Sequence, residues 1–84
     1  MASSEPPVYL DSMGHLWCAD REVLHAFAAR IGMKREWFQD RPRLYHYDVM
    51  SKTRRTRAVH AGAQMCAARR LIAHIHEAES PDGK

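Results

Sequence analysis

Eighty-four residues make one small domain, with little surface to bury and a thin stability margin. A chain 45% hydrophobic and 27% charged is composed like a globular protein, which excludes a disordered tail or a collagen-like repeat, and no apolar run approaches the roughly 20 residues of a membrane-spanning helix. The formal net charge of +3 is too small to argue for nucleic acid on its own, but Lys52, Arg54, Arg55 and Arg57 concentrate it within six positions.

In chain order, residues 1–7 are Ser/Pro-rich and are expected to form a flexible N-terminal tail, with 8–79 a single α/β domain and 80–84 a flexible C-terminal tail. The first residues lack the basic and apolar regions of a signal peptide. Cys18 and Cys66 are far apart and form no disulfide framework, so a reducing, cytoplasmic location is expected. Val8–Asp11 alternates and carries β-formers, predicting a short strand. Ser12–Cys18 follows as a loop broken by Gly14. Asp20 is a good N-cap, and Val23, Leu24, Phe27, Ala28 and Ile31 then recur at helical spacing, with Gly32 supplying the stop.

Glu36–Gln39 reads either as a short strand or as a helical turn. The Tyr-rich alternation of Leu44–Val49 predicts a second strand. Ser51 caps a helix over roughly 52–61 that Gly62 ends, Gln64–Cys66 is a possible third strand, and a last helix runs from about Ala67 to Glu77. The expected fold is a small layered α/β domain, a short parallel sheet of two to three strands with three helices.

Both predicted strands end in aspartate. In an open parallel sheet, ligands bind outside the carboxyl ends of the strands, where helix N-termini also point. Asp11 and Asp48 would meet there as metal ligands in an oxygen-rich site suited to Mg²⁺ or Mn²⁺. The plainer alternative is that both aspartates cap turns.

The helix opened by Ser51 carries Lys52, Arg54 and Arg55 at its N-terminal end, where the macrodipole prefers anions, with Arg57 following on the same helix. Each such cation costs about 0.3–1 kcal/mol in the first turn, and a bound phosphate would relieve that placement. Asp20, Ser51, Lys52, Arg54 and Arg57 are therefore the candidate ligand-binding residues. His25 and His46 are the candidate general bases should a phosphoester be cleaved. The cysteines read as inert buried thiols, and Trp17, Trp37, Phe27 and Phe38 read as core.

Taken together, Val8-Tyr9-Leu10-Asp11, Trp17-Cys18-Ala19-Asp20, Leu24-His25-Ala26-Phe27-Ala28, Trp37-Phe38-Gln39, His46-Tyr47-Asp48 and the stretch from Arg57 to Ala63 resemble a bacterial and phage family, the domain of unknown function 4031. The resemblance implies a small cytoplasmic protein of actinobacteria or their phages and brings no activity with it. Its motifs contain Asp11, Asp20, His25, His46, Asp48 and Arg57. The 12–18 loop departs from the family pattern, so His15 is not carried over.

Two functions are consistent with these observations. One is a domain that binds a phosphate-containing ligand, a nucleotide or nucleic-acid phosphate, with a possible divalent metal at the strand edge. The other is a protein–protein interaction module such as a phage-type regulator or inhibitor, with a homo-oligomer among the forms it could take. No cofactor is specified beyond that ion, and no membrane partner is expected.

Overall fold

The computed structural model describes residues 5–79. The remaining residues of the two predicted tails, 1–4 and 80–84, lie outside it. The order is β1 (Val8–Asp11), β2 (His15–Cys18), α1 (Arg21–Arg30), a single 3-10 turn (Arg35–Trp37), β3 (Phe38–Gln39), β4 (His46–Asp48), α2 (Lys52–His60), β5 (Gln64–Cys66) and α3 (Ala68–Glu79).

The α/β class and the three helices agree with the sequence reading, but the sheet is larger and mixed. Five strands lie in the order β3-β4-β2-β1-β5. β1 and β5 are parallel, whereas β2 is antiparallel to both β1 and β4, and β3 is antiparallel to β4. The three strands predicted from the sequence, β1, β4 and β5, do point the same way. What separates β1 from β4 is β2, which occupies residues expected to be a loop.

That hairpin is built by its turn. The Gly14 N–H donates to the Asp11 carbonyl at 3.0 Å, and Asp11 Oδ1 accepts from the Met13 and His15 N–H groups at 2.9 and 2.8 Å. Gly14 adopts φ +95, a conformation open to glycine and strained for other residues. The strands then pair Leu10 with Leu16, Tyr9 with Trp17 and Val8 with Cys18.

Period-two alternation sends Val8, Leu10, Leu16, Cys18 and Tyr47 to one face, where they pack with Leu24, Phe27, Ala28 and Ile31 of α1 and Ala58 of α2. Tyr9 and Trp17 point the other way, onto Leu71 and Ile75 of α3. Covered on both faces, β2 shows no polar/apolar alternation, the usual mark of a strand with one wet side. This is why its sequence resembled a loop.

The helix ends follow the local chemistry. Asp20 Oδ1 accepts from the Glu22 and Val23 N–H groups, and Ser51 Oγ accepts from the Arg54 N–H. Gly32 and Gly62 both have positive φ just beyond α1 and α2. Trp17 and Phe27 are core as expected. Trp37 is not: it stands 37% exposed on the 3-10 turn.

Arg55 of α2 fastens the hairpin turn to the end of β4. Its Nε donates to the Val49 carbonyl at 2.7 Å and its Nη2 to the Met13 carbonyl at 3.4 Å. A Cβ on Gly14 would stand 2.6 Å from Arg55 Nη2 and 2.7 Å from the Val49 oxygen. Gly14→Ala is therefore expected to destabilise the fold by about 1–3 kcal/mol in urea denaturation. A loss below about 0.5 kcal/mol, the level of an ordinary surface change, would contradict this account of the turn.

Candidate functional site

The carboxyl ends of β1 and β4 and the start of β2 come together at one edge of the sheet. In the β2–β4 register His15 lies opposite Asp48. His46 precedes Asp48 by two and shares its face. His15 Nδ1 lies 2.9 Å from Asp11 Oδ2, and His46 Nδ1 lies 2.8 Å from the Leu44 carbonyl oxygen. Their other ring nitrogens turn toward a single atom: Asp48 Oδ1 is 3.1 Å from His46 Nε2 and 3.8 Å from His15 Nε2. The two rings meet edge to face at 4.9 Å.

One donor atom from each of His15, His46 and Asp48 lies within 4.8 Å of the other two, a spacing compatible with a shared metal ion. His46 is buried, whereas the side chains of His15 and Asp48 keep 31% and 41% of their exposure, so the cluster opens to solvent on one side.

The candidate residues distribute as follows. Asp11 and Asp48 reach the same edge, as expected, but through His15 and not side by side. Asp11 is 2% exposed and both its oxygens are taken by the turn and by His15, so its role is to hold the histidine. Asp20 caps α1 next to Cys18, which pairs with Val8 at the far end of β1, away from the cluster.

His25 and His46 do not face one site. The His25 Nδ1 shares a 2.8 Å hydrogen bond with the Tyr47 hydroxyl, and its ring packs against Phe38 and Tyr47, on the opposite sheet face from His46.

Asp48 also lines a cavity of about 270 Å³ with Met33, Trp37, Met50, Ser51 and Arg54. Arg54 is set there by its Nε bond to the Gly32 carbonyl at 3.3 Å and by stacking 5.1 Å from the centre of the Trp37 ring. Lys52 and Arg57 are exposed on α2 and do not line this cavity.

Sequence reasoning missed His15 and the clamping role of Arg55. The signal for His15 was the Asp-x-x-Gly-His spacing from Asp11. A three-residue turn closed by glycine returns the chain so that position 15 sits beside position 11.

The three central strands and the turn between β1 and β2 thus define a small mixed α/β domain with a histidine–aspartate cluster at the carboxyl ends of β1 and β4. The family model described as Protein of unknown function (DUF4031) matches residues 4–78, nearly the whole chain, and the protein belongs to that family. Neither a curated protein nor a solved structure matches the chain significantly. Among the described residues, no helix is long and apolar enough to cross a membrane.

Burial shifts several groups near the sheet. It raises the Tyr47 hydroxyl, and it holds His25 below its ordinary value of 6.5, followed in weight by the Arg35 charge. Glu22 and Asp40 pull His25 weakly upward, and Arg21 pulls it down. The unfolded chain therefore takes up this proton before the folded one does. The contribution of neutral His25 to stability is complete above 6.5 and is lost as pH falls from there through the lower folded value. Urea midpoints should accordingly drop more steeply between pH 7.5 and about pH 5 in the wild type than in His25→Gln. Parallel pH profiles for the two proteins would contradict this.

Proposed function

We propose that this domain binds a phosphate-containing ligand, of which a nucleotide is the simplest, at the carboxyl edge of its sheet with a divalent ion between ligand and protein. The observation that carries the reading is the double membership of Asp48. Its carboxylate completes the His15–His46 cluster and also lines the cavity that holds Ser51 and Arg54. An ion at the cluster would therefore border the space in which an anion meets Arg54.

The cavity, about 270 Å³, lies near the lower end of ligand pockets, roughly 300 Å³, and suits a small phosphate compound better than a long polymer. Met33, Trp37 and Met50 add apolar walls against which a ring can rest. Lys52 and Arg57, both proposed from the sequence, contribute long-range attraction from the same helix, while Asp20 and His25 take no part.

The test is calorimetric titration with adenosine monophosphate in the presence of Mn²⁺, at low and high salt. Arg54→Ala should weaken binding at least tenfold, consistent with a charge-assisted contact of about 1.5–3 kcal/mol. No binding at millimolar nucleotide, or an affinity indifferent to Arg54→Ala, would sink the proposal.

A second reading, a protein-docking module, rests on the β5 edge. There Met65 and Ile72 are 57% and 51% exposed beside a strand with one open side. Sedimentation should then show a salt-insensitive dimer that dissociates in Met65→Lys. A monomer at all concentrations would remove self-association from consideration.

A further inference from the structure

The hydrogen bonds of the two histidines decide which ion the cluster is built for. The Leu44 carbonyl can only accept, so His46 Nδ1 carries a hydrogen and, in the neutral ring, Nε2 presents a lone pair. The Asp11 carboxylate accepts in the same way from His15 Nδ1, leaving a second lone pair at His15 Nε2. Both lone pairs face Asp48 Oδ1, at 3.1 and 3.8 Å. Three electron-rich atoms directed at one point repel one another unless a positive centre lies between them, either a proton on an imidazole or a metal ion, and only a metal ion draws in both histidines and the carboxylate at once.

We propose that this centre is a borderline transition-metal ion of the Zn²⁺ class, bound by His15 Nε2, His46 Nε2 and an Asp48 oxygen, with its remaining coordination positions open. Metal-binding histidines characteristically donate their second ring N–H to a carboxylate or a backbone carbonyl, which fixes the tautomer and aims the ring. Here one histidine has each kind of support, from Asp11 and from Leu44. The donor set, two imidazoles and one carboxylate, differs from the oxygen-rich site anticipated from Asp11 and Asp48. Imidazole nitrogen suits Zn²⁺, Fe²⁺ or Co²⁺, whereas Mg²⁺ prefers oxygen and sheds its water reluctantly.

The spacing fits such an ion. Metal–nitrogen and metal–oxygen bonds of about 2.1 Å place neighbouring donors about 3.0 Å apart in an octahedron and about 3.4 Å apart in a tetrahedron. The two separations from Asp48 Oδ1, 3.1 and 3.8 Å, fall on either side of the tetrahedral value, and the shorter is close to the octahedral one. Small rotations of the partly exposed His15 and Asp48 side chains would complete closure around buried His46. Three protein ligands leave room for water or a ligand atom, as in catalytic rather than structural zinc sites.

This inference deepens the ion half of the proposed function and does not depend on the phosphate half. Metal titration without nucleotide tests it alone. Chelator-treated protein is titrated with Zn²⁺, and separately with Mg²⁺, under calorimetry and native mass spectrometry. Co²⁺ serves as an absorbance probe of coordination.

The expected result is one Zn²⁺ per chain, a Co²⁺ visible spectrum, and Mg²⁺ affinity at least 100-fold weaker. His15→Gln and Asp48→Asn, changes at partly exposed positions, should each lower Zn²⁺ affinity at least 100-fold with unaltered far-ultraviolet circular dichroism. Absence of Zn²⁺ binding at millimolar concentration would overturn the proposal. So would Mg²⁺ binding as tight as Zn²⁺, or stoichiometric Zn²⁺ that survives in the His15→Gln/Asp48→Asn double variant and therefore belongs to the cysteines or the other histidines. If either single variant unfolds, Zn²⁺-induced quenching and broadening of the His15 and His46 ring signals in NMR spectra of the wild type, with His60 and His76 undisturbed, provides the same decision.

Discussion

The Asp11 carboxylate is the group on which the site depends. One of its oxygens gathers two backbone N–H groups and closes the β1–β2 turn; the other grips the His15 ring. It is almost completely buried, and a buried carboxylate is tolerable because these bonds replace its lost water. The same few atoms therefore set the hairpin register and the direction of an imidazole. The partnership of His15 with Asp48 across the β2–β4 pair inherits its geometry from that turn.

Much of the fold was legible because it is written locally. Asp20 and Ser51 as caps, Gly32 and Gly62 as stops, and the apolar periodicity of α1 each depend on neighbours within a turn or two, so a linear reading finds them. Strand β2 was not legible. Leu16 and Cys18 face α1 and α2 while Trp17 faces α3, and burial on both sides erases the alternation that betrays a strand. The antiparallel placement of β2 between β1 and β4 is also a non-local choice, absent from any window of neighbouring residues.

The site was half legible for the same reason. Strand-end aspartates and the helix opened by Ser51 directed attention to one edge of the sheet, where the cluster of His46 and Asp48 adjoins the cavity that Asp48 lines with Ser51 and Arg54. The exchange of roles between Asp11 and His15 was hidden, since it follows from a turn that looked like a longer loop. His25 misled in the opposite way. A histidine beside an apolar helix face is drawn into packing, and here Tyr47 and Phe38 enclose it on the far side of the sheet. Period two along β4 makes this separation unavoidable, because Tyr47 lies between His46 and Asp48.

The strand order also has a kinetic meaning. The Asp11–His15 contact spans four positions and can form as soon as the hairpin closes, whereas the approach of Asp48 to His15 requires a loop that carries α1 and β3 to be drawn shut first. The cluster is thus assembled from an early local half and a late distant half. Its completion marks the moment when the central strands have found one another.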